Sequence, residues 1–356
     1  MKIDYDDEPL LVVKGLRTHF DTDEGLVYAV DGVDFDVYRG ETVCIVGESG
    51  SGKTVSSESI TQLFNSPPGE IVEGEIIFDG QDLTQATDAE LRKIRGGRIS
   101  HIFQNPQGAL NPVYTVGWQI REAIQLHQDV SKAEAKQQAI ELLEKVGIPE
   151  AASRINDYPH EFSGGMKQRV IIAIALACQP DLLIADEPTT ALDVTIQAQI
   201  LRLLNDLQDE FEMSIIFITH DLGVVAEIAD RVVVMYSGKV MERGNVYDIF
   251  EETAHPYTKA LLECLPGQGK SGGIPGQLPD VMNPPSGCRF HQRCPYAIDE
   301  CRSGSQPDFF PVGDPEDEHL VSCVHYREDM DPSVLDEPTP TPSYAERGRT
   351  DGGTRE

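Results

Sequence analysis

Apolar and polar positions alternate through residues 9–46 in three stretches, LLVVKGLRTHF, VYAVDGVDFDV and ETVCIV, parted by Asp-Glu-Gly and Arg-Gly turns. Alternation with period two between turn residues predicts strands. A glycine-rich loop follows, and the helix it opens is expected to run to about Phe64. EIIFDG marks a further strand pair turning at Asp79-Gly80. From Asn111 to about Pro159 the period becomes helical, as in KAEAKQQAIELLEKVG, whose last glycine suits a helix C-terminus. Strands and helices then alternate: DLLIAD, a helix through TIQAQILRLLNDL, SIIFITHD, a helix through VVAEIAD, and the hairpin RVVVMYSGKVMERG. Such alternation predicts an α/β fold, a largely parallel sheet covered on both faces by helices. Past Leu265 the composition shifts to Gly and Pro, which marks a boundary. From about Asp329 the chain has too few apolar groups to fold and is expected to be disordered.

Chemistry enters at the glycine-rich loop. Gly47-Glu48-Ser49-Gly50-Ser51-Gly52-Lys53-Thr54 follows a predicted strand and opens a helix. That is the context in which G-x-x-x-x-G-K-[ST] acts as a P-loop. The glycines let backbone N–H groups converge on phosphate oxygens at a helix N-terminus, Lys53 would reach the β- and γ-phosphates, and the Thr54 hydroxyl would ligate Mg²⁺. Downstream, the apolar run Leu182–Ala185 stops at Asp186 and Glu187. In this setting Asp186 would hold Mg²⁺, and Glu187 would polarise the attacking water as general base.

Charge and cysteine usage narrow the classes. Sixty acidic against 29 basic residues give a formal charge of −31, which argues against nucleic-acid binding as the main activity. An acidic surface of this kind suits high intracellular salt, where repulsion is screened, so it reads as halophilic adaptation, with an acidic interaction surface as the alternative. The longest apolar run, Val170 to Cys178, is nine residues, far below the roughly 20 needed to span a bilayer. The acidic N-terminus MKIDYDDEPL does not look like a signal peptide. The chain is therefore expected in the cytoplasm, its membrane role carried by partners. Cys44, Cys178 and Cys264 lie alone in apolar sequence and read as core packing. Cys288, Cys294, Cys301 and Cys323 are spaced C-x5-C-x6-C-x21-C. In a reduced compartment they could hold a [4Fe–4S] cluster or zinc, or stay as four unliganded thiols. Gaps of five and six fit the cluster better, and its expected role is a structural clamp. His291 and His325 lie nearby as less favoured ligands.

Between the two phosphate motifs sits Phe162-Ser163-Gly164-Gly165-Met166-Lys167-Gln168-Arg169, followed by the helix IIAIALA. It resembles the signature motif of ATP-binding-cassette (ABC) proteins, with Phe for the usual first Leu and Met for the usual fifth Gln. The resemblance covers residues 9 to about 260. It implies that Gln104, in HIFQNP, is the glutamine sensing Mg²⁺ and the attacking water. It likewise implies that Asp193, in TTALD, crosses a dimer interface, that His220 contacts the γ-phosphate, and that Phe20 stacks on adenine, with Tyr28 a lesser candidate. Two ATP-binding subunits of this family pack head to tail, each ATP lying between one Walker A loop and the partner's Ser-Gly-Gly. The segment LNPVYTVGWQI would meet the membrane subunits, or else form a locally packed Tyr-Trp pair.

The cysteine-bearing segment resembles the C-terminal extension of oligopeptide/dipeptide permease ATP-binding subunits. The expected layout is a P-loop NTPase ABC cassette over 1–262: a RecA-like parallel-sheet core, an antiparallel β subdomain and a helical signature subdomain at about 105–165. The extension would span 263–328 and a disordered acidic tail 329–356. The implied function is ATP hydrolysis at the cytoplasmic face of the membrane to power import of di- or oligopeptides, or alternatively of nickel or another small solute. The implied partners are a second, paralogous cassette in a heterodimer, two transmembrane permease subunits and, indirectly, an extracytoplasmic peptide-binding protein. Soluble ABC machines of DNA repair or translation would carry coiled-coil insertions, duplicated cassettes or basic faces, which this chain lacks.

Overall fold

The computed structural model describes residues 3, 5, 7–104, 106–190, 192–265, 273–314 and 318–336. Its elements in chain order are strands β1 (Leu11–Thr22), β2 (Gly25–Val37) and β3 (Thr42–Val46), helix α1 (Lys53–Thr61), then β4 (Gly69–Phe78) and β5 (Gln81–Asp82). Helix α2 (Asp88–Ile94) and β6 (Ile99–Ile102) lead into α3 (Pro106–Ala109), α4 (Val116–His127), α5 (Lys132–Lys145), α6 (Ala151–Arg154) and α7 (Gly164–Ala175). After these come β7 (Leu182–Asp186), α8 (Val194–Phe211), β8 (Ser214–Thr219), α9 (Leu222–Ile228), β9 (Arg231–Tyr236) and β10 (Lys239–Asn245). The last elements are α10 (Val246–Glu251), α11 (Pro256–Glu263), β11 (Phe310–Pro311) and β12 (Leu320–Val321).

The main sheet has the order β11-β12-β10-β9-β3-β8-β7-β6. Strands β6, β7, β8, β3 and β9 run parallel, with registers such as Thr42 opposite Ile215 and Leu182 opposite Ser214. Strands β3, β7, β8 and β9 are apolar almost throughout because they are buried on both faces, whereas the edge strand β6 carries Ser100 and His101. The faces divide cleanly along every strand. Cys44, Val46, Leu183, Ala185, Phe217 and Val234 join the core under the helices, while Val43, Ile45, Ile184, Ile216, Ile218 and Val233 join the opposite one.

That second face is covered by the expected antiparallel β subdomain and not by the helices that alternation alone predicts. It packs on the antiparallel sheet β2-β1-β4-β5, through Leu11, Val13, Leu16, Val30, Val33, Phe35, Ile76 and Phe78, with Ile60 of α1 and Leu91 and Ile94 of α2 at its margin. Alternating strands with one apolar side can cover a buried sheet as well as amphipathic helices can. Local periodicity does not say which of them will.

The helical region behaves as its capping residues dictate. Thr115 accepts the N–H of Trp118 at the start of α4, and Ser131 with Glu134 forms a capping box at the start of α5. Gly147, at φ 74, follows the end of α5 in the left-handed conformation that glycine tolerates.

The C-terminal segment adds two short strands to the main sheet. Strand β12 pairs antiparallel with β10, Glu242 opposite Val321, and β11 pairs with β12. Within the expected tail, residues 332–336 form a 3₁₀ turn whose Leu335 is buried and whose carbonyl accepts from Lys259. The remainder of that tail, 337–356, lies outside the described residues. No described helix is long and apolar enough to cross a membrane.

Candidate functional site: a phosphate loop facing a carboxylate pair

Three parallel strands end at one crevice, where open α/β sheets bind ligands. β3 runs into residues 47–54, β7 into Asp186 and Glu187, and β8 into His220. The loop is folded so tightly that side chains are excluded at two positions. A Cβ on Gly47 would lie 2.1 Å from the Met235 carbonyl oxygen, and one on Gly52 would lie 2.4 Å from that of Ala29. Both glycines also have positive φ. Ser51 and Lys53 are buried, while Ser49 and Gly50 are exposed at the loop's tip.

Lys53 Nζ donates to the carbonyls of Gly47 (2.7 Å) and Glu48 (3.0 Å), bending back over the loop it belongs to. Burial lowers its pKa, against the opposing pull of Glu187, Asp186 and Glu48. The Thr54 hydroxyl donates to Asp186 Oδ2 at 2.7 Å, so the two expected Mg²⁺ ligands meet directly. The other oxygen, Asp186 Oδ1, is buried with no hydrogen-bond partner among the described residues. Burial raises the Asp186 pKa, and the hydrogen bond from Thr54 opposes it. A buried carboxylate oxygen beside a hydroxyl fits a small oxygen-seeking cation.

Glu187 is held from three sides. Oε1 pairs with His220 Nδ1 (3.0 Å), and Oε2 accepts from Thr190 Oγ1 (2.9 Å) and Gln104 Nε2 (3.3 Å). Burial pushes its pKa up, but these hydrogen bonds outweigh it and hold the carboxyl below the ordinary range. Its backbone has φ 47, a left-handed conformation costly for a non-glycine residue, and its N–H donates to Ile218 (2.9 Å). The chain thus turns sharply off β7 and projects the carboxylate into the crevice mouth. Thr190 had no signal in the sequence beyond its place in TTALD.

The other expected residues lie elsewhere. Ser163 caps α7, accepting from the Met166 N–H at 3.4 Å, and Asp193 caps α8, accepting from Ile196 at 3.0 Å. Ser163, Gly164, Gly165, Leu192 and Asp193 line one surface hollow. Phe20 packs edge-on against Phe64 at 5.8 Å between ring centroids, whereas Ala29 of β2 is the residue set against Gly52. Tyr28 packs on His19 at 4.6 Å. Tyr114 and Trp118 do stack locally, 3.9 Å apart, yet Val113 beside them is 70% exposed.

At the four cysteines the structure departs from the sequence reading. All four thiols are free, but no group of three or more His, Cys, Asp or Glu among the described residues is arranged to hold a metal ion. The expected cluster site is therefore not displayed as a coordination sphere. Burial pushes Cys288 up to about 11 and Cys323 up to about 12, and raises Cys294 and Cys301 as well. His291 and His325 each spend a ring nitrogen on a backbone carbonyl, those of Cys288 (2.8 Å) and Tyr296 (3.0 Å).

Comparison with known proteins places this geometry. A family model described as "ABC transporter" matches residues 30–190, and one described as "Oligopeptide/dipeptide transporter, C-terminal region" matches 241–301. The chain is 53% identical over 310 residues to the oligopeptide transport ATP-binding protein OppD of Bacillus subtilis, covering 86% of each chain. It is 51% identical over 298 residues to the dipeptide transport ATP-binding protein DppD of the same organism, covering 83% of this chain and 89% of that one. Among solved structures, a dimeric post-hydrolysis state of the ATP-binding cassette MJ0796 bound to ADP and Pi aligns with TM-score 0.59 and 31% identity. That alignment covers 66% of this chain and 98% of the other. By identity sustained over most of its length, on a P-loop fold with the phosphate loop and carboxylate pair in one crevice, the chain belongs to the ABC transporter ATP-binding proteins of the oligopeptide/dipeptide type.

Proposed function

We propose that this chain binds ATP at residues 47–54 and hydrolyses it to power import of di- or oligopeptides through a membrane transporter. The observation that carries the reading is Glu187, a carboxylate held unprotonated and aimed by three hydrogen bonds, at the mouth of the crevice that holds Lys53 and Thr54. Lys53 would turn from its carbonyls to the β- and γ-phosphates. Thr54 and Asp186 would hold Mg²⁺, with Gln104 near it, and the cation when bound would neutralise phosphate charge. Glu187 would accept a proton from the attacking water, while His220 and Gln104 fix which way its oxygens point. Phe20 is the proposed adenine contact.

The second half of each site would come from another cassette's Ser163-Gly164-Gly165 and Asp193, or their counterparts in a paralogue. Support comes from the exposure of Ser163, Gly164 and Asp193 here and from the dimeric state of the MJ0796 cassette. Exposed Val113 and Tyr114 suit contact with the two permease subunits at the cytoplasmic membrane face. An extracytoplasmic peptide-binding protein would deliver the solute. The proposed division of labour keeps 1–262 as the ATPase with its helical subdomain at about 105–165, and 263–328 as the extension. A charge of −31 suits a salt-rich cytoplasm.

The test is ATP hydrolysis by the chain reconstituted with its permease subunits in vesicles. Peptide together with its binding protein is expected to stimulate turnover. Stimulation by nickel or another small solute, and not by peptide, would reassign the cargo while leaving the ATPase intact.

An iron–sulfur cluster on Cys288, Cys294, Cys301 and Cys323 also belongs among the proposals. Its support is that the backbone N–H of Cys288 donates to the Cys301 carbonyl (3.0 Å) and that all four thiols are free. Iron and sulfide assays after anaerobic purification decide it: about four of each per chain is expected, and neither element would end the reading.

A further inference from the structure

Glu48 is the second residue of the phosphate loop, where a free carboxylate would repel an arriving polyphosphate. Each of its polar groups is nonetheless engaged. The N–H donates to the Tyr257 hydroxyl (2.9 Å) and the carbonyl accepts from Lys53 (3.0 Å). The carboxylate is gripped by Arg293, whose Nη1 donates to Oε2 at 2.6 Å and Nη2 to Oε1 at 3.1 Å. Arg293 comes from the C-terminal extension, beside Cys294, and is 6% exposed. Its remaining N–H groups reach the carbonyls of Pro275 (3.0 Å) and Ile274 (2.8 Å), and Nη1 also donates to the Tyr236 hydroxyl (3.1 Å).

Aromatic packing sets this fork in place. Phe290 lies 5.3 Å from both Tyr236 and Tyr257, and the guanidinium sits 5.6 Å from the Tyr236 ring centroid. A planar, doubly bonded guanidinium held this way is pre-organised for one carboxylate. Arg289, another buried arginine of the extension, pairs with Asp31 of β2, an acid that Lys239 also approaches. It therefore fastens the extension to the cassette without a bond to the phosphate loop.

We propose that Arg293 is a positioning residue of the ATP site, neutralising Glu48 and fixing it within the phosphate loop, so that the C-terminal extension completes the site. The inference rests on the ATP-binding reading of that loop. Without Arg293 the Glu48 charge stands uncompensated where phosphates must arrive, and it competes with them for Lys53. Lysine at the same place supplies charge but not the fork.

The test is calorimetric titration of MgATP into the full-length chain, with Glu187→Gln present throughout to stop turnover. Arg293→Ala is expected to raise the Kd about tenfold, because it leaves one member of a hydrogen-bonded charge pair uncompensated. Arg293→Lys should fall between that and the parent. Adding Glu48→Gln to Arg293→Ala should return the Kd to within about threefold of the parent, since the charge needing compensation is gone. Arg289→Ala should lower the melting temperature yet leave the Kd within about twofold. An unchanged Kd in Arg293→Ala, no recovery in the double variant, or an equal loss in Arg289→Ala would each reduce Arg293 to a docking contact and overturn the proposal. Should Arg293→Ala fail to fold, Arg293→Lys with and without Glu48→Gln makes the same comparison. A parent chain that does not bind MgATP would overturn the ATP reading itself, and this inference with it.

Discussion

Ser51 and Lys53 are buried, Thr54 is hydrogen-bonded to Asp186, and Glu187 is hydrogen-bonded to Gln104, Thr190 and His220, all within a single chain. Ser163, Gly164 and Asp193 lie exposed on another surface, the side-chain oxygens of Ser163 and Asp193 closing only the first turns of α7 and α8, and Val194 beside them is 82% exposed. The first region is finished by its own fold. The second is made of two helix N-termini, that of α7 with Gly164 and Gly165 and that of α8 with the exposed Val194, and nothing within the described residues covers that valine. A helix start of this kind offers N–H groups to an anion, and an exposed valine gains from being covered. On the proposed function, the contrast separates a catalytic half built within one chain from a complementary half offered to another cassette's nucleotide.

Substitutions can break that contrast from either side. Glu187→Gln removes the base from the finished half. Turnover of the reconstituted transporter is expected to fall by about 10²–10⁴ while MgATP still binds, as measured by steady-state phosphate release. Retained hydrolysis would mean that another group activates the water. Ser163→Arg blocks the unfinished half instead. It should lower transporter turnover by roughly 10–100-fold yet leave MgATP affinity of the isolated chain unchanged, because no atom of that affinity comes from the chain's own serine. Weaker binding by the isolated variant would show that the two halves are not separable. The Arg293 substitutions act at the border of the finished half and carry the smallest effect, about tenfold in Kd. They ask whether that half ends with the cassette or includes the extension.

Much of this was legible along the chain, because the relevant signals are local. A loop that excludes Cβ atoms must be glycine-rich, so residues 47–52 announce themselves, and strands buried on both faces read as the apolar runs TVCIV and LLIAD. What stayed hidden depends on packing between distant segments. The antiparallel sheet that covers one face of the core has the same alternation whether it lies there or elsewhere. Strands β11 and β12 are two residues each, too short to show a period, yet they tie the extension to β10. Arg293 and Glu48 stand 245 positions apart with no spacing rule to link them. The four cysteines show the opposite failure: their spacing is conspicuous in sequence, while the described residues display no ready coordination sphere.

The most direct test of the two-half account is the mass of the assembly formed by the Glu187→Gln chain and its partner cassette, followed by analytical ultracentrifugation with and without MgATP. The account predicts that MgATP brings two cassettes together and that Ser163→Arg abolishes this assembly while each chain still binds nucleotide. Assembly that is indifferent to MgATP, or that survives Ser163→Arg unchanged, would contradict it.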